Sequence, residues 1–275
     1  MQYARELDAH LARPAAEQLR GVRVGVLKEG FEDALQDAQV AATVRAAAAR
    51  FAGLGAEVVE VSVPAHADAA LVWMVALPMA GTQQGLLGAP SGRRQLLFPE
   101  RAALIGDRLS QAAFDKLGPG GQNIYLRALF LRERFGAALG ARCTNLVRAA
   151  GAAYDAALRD VDVLVMPTVP FPAARLRRAE QLWADGAESA AEMGPLAVLA
   201  RTVGATSNTC AFNGTGHPGL SLPVGFVDAG DAEGRARGVR LPTGMQVVGR
   251  RWEDGLVLRV AGSWEGAADW RSFTA

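Results

Sequence analysis

The 275-residue chain predicts an α/β fold, a mixed and largely parallel sheet flanked by helices. Three observations carry that expectation. Gly21 to Glu29 (GVRVGVLKE) and Glu57 to Pro64 (EVVEVSVP) alternate apolar or small residues with polar ones and are rich in valine, as half-buried strands are. Between them, Asp37 to Leu54 is alanine-rich, with Val40, Val44 and Phe51 at helical spacings and Gly53 and Gly55 closing it. A strand, helix, strand order joined by a right-handed crossover gives a parallel or mixed sheet. Finally, Asp162 to Thr168 (DVLVMPT) is a short apolar run ending at a proline, the pattern of a buried strand that stops at a connecting loop.

The remaining elements follow in order. His66 to Gly85 reads as a helix through Leu77, then a Gly/Pro-rich loop (GAPSGRR) and helical stretches around Glu100 to Leu117. Tyr125 to Leu158 is one long helical pattern, with Gly136, Gly140 and Gly151 as places for a bend. Arg175 to Pro195 is polar and reads as a surface excursion, and Leu196 to Val203 as a short helix. Leu220 to Val227 and Leu241 to Val248 are strand candidates on either side of an exposed Asp/Gly-rich turn (DAGDAEGRARG), and Asp254 to Glu265 is the last helix. No internal repeat and no long linker divides the chain, so residues 1–275 are expected to form a single α/β unit.

Composition narrows the function. With 50% hydrophobic and 21% charged residues the chain has enough apolar material for a sizeable core. A formal charge of +1 supplies no field to gather nucleic acid or an anionic membrane, so a small uncharged substrate is the better fit. Cys143 and Cys210 are the only cysteines, and His10, His66 and His217 the only histidines; none are spaced as a zinc cluster, and neither metal nor cofactor is expected. The longest apolar run, Ala69 to Gly81, is broken by Pro78 and falls short of the roughly 20 residues that span a bilayer. The start MQYARELDAHLARP is charged rather than apolar, and a cytoplasmic address is expected.

Four segments occur in this order along the chain: GVRVGVLKEGF, DVLVMPTVP, NGTGHPGLSLPVG and LPTGMQVVGRRWEDGLVLRVA. Through them the chain resembles the C-terminal half of amidase-signature enzymes, from about Leu19 to Trp264. The resemblance implies part of an α/β/α fold built on a mixed sheet, and hydrolysis of a carbon-nitrogen bond in a small carboxylic amide. In that family an unprotonated lysine activates a bridging serine held by a cis peptide bond. That serine deprotonates the nucleophilic serine, inside a Gly/Ser-rich loop whose backbone amides stabilise the oxyanion.

No Gly-Gly-Ser-Ser loop occurs in this chain, and its only lysines are Lys28 and Lys116. The expectation is therefore a truncated or split portion of an amidase, inactive alone, completed by an N-terminal half or a homo-oligomer partner. The alternative is a catalytically inert binding or partner subunit of an amidase or amidotransferase complex. No residue is assigned a catalytic role. For substrate contact the candidates are Trp73 and Met74 on the apolar helix, together with Asn208, Thr209, Cys210 and Phe212 of the segment SNTCAF. That segment, made of small polar residues leading into a glycine-rich turn, is read as a substrate-facing loop. Ordinary core packing competes for Trp73 and Met74, and a buried structural thiol for Cys210. A Ser/His/Asp arrangement built on His217 and Asp228 would draw on one short segment, with no sign in the sequence that its members converge.

Overall fold

The computed structural model describes residues 2–87, 100, 108–174 and 204–268. The loop GAPSGRR, the excursion Arg175 to Pro195, the helix Leu196 to Val203 and most of the stretch before residue 108 lie outside them.

Five strands form one sheet: β1 (Arg23–Leu27), β2 (Glu57–Val61), β3 (Val163–Pro167), β4 (Gly219–Asp228) and β5 (Arg240–Gly249), in the order β2-β1-β3-β5-β4. β1 pairs in parallel with both β2 and β3, while β5 runs antiparallel between β3 and β4. Four strands thus point one way and only β5 opposes them. β3 is buried at every position, as its unbroken apolar run requires of a central strand. Pro242 lies in β5 beyond the residues that pair with β3, and Pro223 lies in β4 at the sheet edge beside a register shift. Both prolines therefore avoid the doubly paired core of the sheet, where a missing amide hydrogen would cost a ladder bond.

The helices follow from local chemistry. α1 (Gln2–Leu11) packs along the C-terminal helix α10 (Asp254–Ala267), and His10 Nε2 meets Ser263 Oγ at 2.9 Å. After α2 (Ala15–Gln18), α3 (Ala38–Ala49) starts at Asp37, whose carboxylate accepts from the amides of Gln39 and Val40. Val40, Val44, Ala47 and Ala48 form its buried face, and Trp264 of α10 donates Nε1–H to the Ala47 carbonyl at 3.0 Å. α4 (Ala65–Ala80) carries Pro78 inside it and runs into a π-helical turn, Gly81–Leu86. α5 is Gln111–Asp115. The long helical pattern proves to be two helices, α6 (Pro119–Phe135) and α7 (Ala137–Asp160), parted at Gly136, whose φ of 72° no ordinary helical residue adopts. α8 (Cys210–Thr215) and the short α9 (Ala232–Ala236) complete the set, α9 lying in the Asp/Gly-rich turn between β4 and β5. No described helix is long and apolar enough to cross a membrane.

Where the sequence suggests one unit, the residues group into two: Met1–Ala70 with Ala150–Ala275, which holds the whole sheet and its core, and Leu71–Ala149, which is helical.

Candidate functional site

β1 and β3 are adjacent, parallel, and end on the same side of the sheet, the place where open α/β sheets gather functional groups. Just past those ends lies a buried hydrogen-bond chain. Tyr154 Oη of α7 is 2.6 Å from His66 Nδ1 of α4, and His66 Nε2 is 3.0 Å from Asn208 Oδ1. Asn208 Nδ2 donates to the carbonyls of Gly30 and Pro167, each at 2.8 Å. Those two donations fix the amide orientation, so Oδ1 must accept from His66 Nε2–H. Burial pushes the His66 pKa below its ordinary value, against the pull of Asn208, Glu29 and Asp33. A neutral imidazole then leaves Nδ1 as acceptor for the Tyr154 hydroxyl, whose own pKa is pushed up, chiefly by burial and then by Cys210 and Glu29. Every proton in the chain has one place to be.

Local structure explains why the chain can form. Gly30 follows β1 in a 3-10 turn, and a Cβ there would sit 2.6 Å from Met166 Cβ, so only glycine brings this carbonyl to Asn208. Beside the chain is a cavity of about 170 Å³ lined by Glu29, Glu32, Asp33, His66, Ser207 and Asn208, among others. Burial works to raise the Glu29 pKa, but the Ser62 hydroxyl and the Val63 amide outweigh it and hold the carboxyl below its usual range.

The segment SNTCAF is not an open loop. Residues from Cys210 onward are helical, and the helix closes at Gly216 with φ 75°, whose amide donates to the Phe212 carbonyl at 2.8 Å. Phe212 packs on Tyr154 with ring centroids 4.9 Å apart and also lies against His66 and His217. Cys210 is a buried free thiol, pushed up to about 11 by burial. Asn208 is buried and committed to three partners, while Thr209 is half-buried, its hydroxyl turned to the Thr206 carbonyl. Trp73 and Met74 are half-buried on α4 in the helical unit, and the Met74 carbonyl accepts from Arg127 Nη2. His66, Tyr154 and Gly30 were not singled out by the sequence, because 88 and 142 positions separate His66 from its two partners and no spacing rule reaches that far.

The motif NGTGHPG makes a second buried imidazole. His217 Nδ1 lies 2.8 Å from Thr215 Oγ1 and Nε2 lies 3.2 Å from Asp155 Oδ1. Arg251 pairs with the other carboxylate oxygen of Asp155 and donates to the Thr215 carbonyl at 3.0 Å. Burial, then Arg251, lower the His217 pKa, opposed by Asp155. These groups close on one another and hold the turn into β4. Asp228 is elsewhere: it ends β4 and bonds Gln39 Nε2, so the His217 and Asp228 arrangement does not form.

Other nucleophile and base candidates are paired or lie at the surface. Ser221 Oγ pairs with Thr168 Oγ1 at 2.6 Å on the exposed side of the sheet, and Ser207 Oγ donates to the Gly204 carbonyl at 2.9 Å. Lys28 is half exposed and pairs with Glu32 at 3.7 Å, and Lys116 is exposed at the end of α5. Among the described residues no group of three or more His, Cys, Asp or Glu could hold a metal ion.

An α/β sheet with a polar seat at the ends of its parallel strands defines the class. The chain belongs to the amidase family: the family model described as Amidase matches residues 2–258. It is 35% identical over 265 residues to the enantioselective amidase of Rhodococcus rhodochrous, covering 92% of this chain and 44% of that protein. It is 30% identical over 254 residues to the A component of the glutamyl-tRNA(Gln) amidotransferase of Synechococcus sp. (strain CC9902), covering 92% of this chain and 46% of that protein. In three dimensions it resembles a bacterial aryl acylamidase of the amidase-signature family, with a TM-score of 0.59 at 20% identity, over 96% of this chain and 46% of that one. The chain thus spans somewhat less than half the length of these relatives.

Proposed function

We propose that this chain is the C-terminal half of an amide hydrolase acting on a small, largely uncharged carboxylic amide. In this reading the serine, bridging serine and lysine come from a segment not contained in its 275 residues. The carrying observation is the match to an amidase family over 2–258, combined with the absence of a Gly-Gly-Ser-Ser loop and the exposure of both lysines. The side chains at the strand ends support a positioning role. With Tyr154, His66 and Asn208 mutually satisfied, they hold a wall rigid and leave no free base. Along that wall Thr209 faces the acyl group of the substrate, with Asn208, Cys210 and Phe212 fixing it from behind. Trp73 and Met74 remain acyl-contact candidates in the helical unit. The working site is cytoplasmic and needs no cofactor.

The test uses the purified chain against a panel of aliphatic and aromatic amides, alone and co-expressed with the part of the Rhodococcus rhodochrous amidase it does not match. The expected result is background turnover alone and amide hydrolysis by the pair. Hydrolysis by the chain alone that survives both Lys28→Ala and Ser207→Ala would overturn the division of labour. Failure of every pairing would remove the hydrolase reading.

A second reading, an inert partner within an amidotransferase complex, is favoured by the 30% identity to the Synechococcus amidotransferase protein. It predicts no hydrolysis in any pairing, together with stable co-purification with the other components of such a complex.

A further inference from the structure

The helical unit Leu71–Ala149 contains a cavity that the amide reading does not use. Its volume is about 360 Å³, inside the range of small-ligand pockets, roughly 300–1,000 Å³. The cavity is a product of irregular helix. Pro78 has no amide hydrogen, so the Met74 carbonyl one turn earlier loses its helical donor, and Arg127 Nη2 takes it instead. Three residues further on the chain widens into the π-helical turn, where the Leu87 amide donates to the Thr82 carbonyl five residues back at 2.9 Å. Such turns occur often at functional sites.

The lining divides into two kinds. Met79, Ala128 and Leu129 give an apolar wall, and Gly140 is so close to Met79 that a Cβ there would stand 3.2 Å from its Cε, which keeps α7 free of side-chain bulk at that point. Among the described residues the polar lining is neutral, from Thr82, Gln83, Gln84 and Thr144, with one exception: Arg132. Among the described residues no carboxylate lies within ion-pair distance of Arg132, whereas Arg127 is turned inward and spent on a backbone carbonyl. One exposed guanidinium lining a largely apolar cavity, the only cation among the described lining residues, matches a single negative charge.

We propose that this cavity binds a small monocarboxylate with an apolar body. The carboxylate takes the two-pronged guanidinium of Arg132, a geometry that arginine offers and lysine does not. The apolar part lies against Met79, Ala128 and Leu129. A polyanion such as a phosphate monoester is disfavoured, because one guanidinium leaves its second charge in an apolar setting. The site stands on the residues of Leu71–Ala149 alone and holds whether or not the amide reading does.

The experiment is calorimetric titration of the full chain with 3-phenylpropionate and with its neutral analogue 3-phenylpropionamide. The acid is expected to bind saturably and more tightly than the amide. Arg132→Gln is expected to weaken the acid about tenfold and leave the amide unchanged. Ala141→Trp and Thr144→Phe, both at exposed rim positions, are expected to abolish binding of both probes. Circular dichroism and melting of each variant distinguish a blocked cavity from an unfolded helix pair, and two blocking variants keep the test decisive if one fails to fold. The proposal is overturned by equal affinity for acid and amide, by an acid affinity indifferent to Arg132→Gln, by binding that persists in a folded blocking variant, or by no saturable binding at all.

Discussion

Two buried imidazoles in the same unit are handled in opposite ways. His66 ends its hydrogen-bond chain on neutral groups, an amide side chain and then two backbone carbonyls, deep under the strand ends. His217 ends its chain on the Asp155 carboxylate, which is 40% exposed and shared with Arg251. The first arrangement is buried and has no spare partner, so each bond in it is costly to break. The second is partly wet and ionic, so solvent and salt replace much of what is lost. Both imidazoles join distant elements, one through neutral groups and the other through an ion pair that also holds a turn.

The sharpest way to break this contrast is Asn208→Ala. It orphans the Gly30 and Pro167 carbonyls and His66 Nε2 together, and is expected to cost about 3 kcal/mol or more, read from the midpoint of urea unfolding. A loss under about 1 kcal/mol would mean that water from the adjoining cavity fills the gap. Next in size is Asp155→Ala, which frees Arg251 and removes the acceptor from His217 Nε2. Given the exposure of both partners, about 1 kcal/mol is expected, shrinking as salt is raised from low ionic strength toward 1 M. A salt-independent loss would place that cluster in the same class as the His66 chain.

The smallest effect is expected from pH. Burial sets each of His10, His66 and His217 below the ordinary 6.5. A histidine with a depressed folded pKa binds its proton more readily when unfolded, so its contribution is complete above about pH 6.5 and is lost as pH falls. Melting temperature should be flat from pH 8 to 7 and decline from 6.5 toward 5.5, above the range where ordinary carboxylates titrate. His66→Gln should flatten that decline more than His217→Gln, because Asp155 bonds His217 directly, whereas Glu29 and Asp33 act on His66 only through space and both of its hydrogen-bond partners are neutral. Equal slopes in the two variants would dissolve the distinction.

The strands were legible because each obeys a short-range rule. Valine-rich alternation marks β1 and β2, an uninterrupted apolar run marks β3, and the prolines and glycines of NGTGHPGLSLPVG and LPTGMQVVG mark the entries to β4 and β5. The break between α6 and α7 was among the three glycines named for it, and Gly136 is the one with a positive φ. What short-range rules could not reach is the site. Asn208 entered as a substrate contact because it sits among small polar residues, yet its role depends on Gly30 and Pro167, 178 and 41 positions away. The helix beginning at Cys210 was missed for a related reason. Its stability comes from packing Phe212 on Tyr154, and residues such as Asn213, Gly214 and Thr215 have little helical preference of their own.

The pairing of β1 with β3 has a kinetic side. The residues that flank it, Arg23 and Asp162, stand 139 positions apart, with the helical unit threaded between them. During synthesis β1 and β2 emerge as a two-stranded ribbon whose inner edge must wait for a long stretch of further chain before β3 arrives, and two-stranded ribbons are marginal alone. Closing so long an interval costs little extra entropy per added residue, because the loop term grows only as the logarithm of length. A change in the size of the intervening unit therefore adds little to the cost of closing the sheet. The burden falls on the rate of assembly, which such distant contacts make slow.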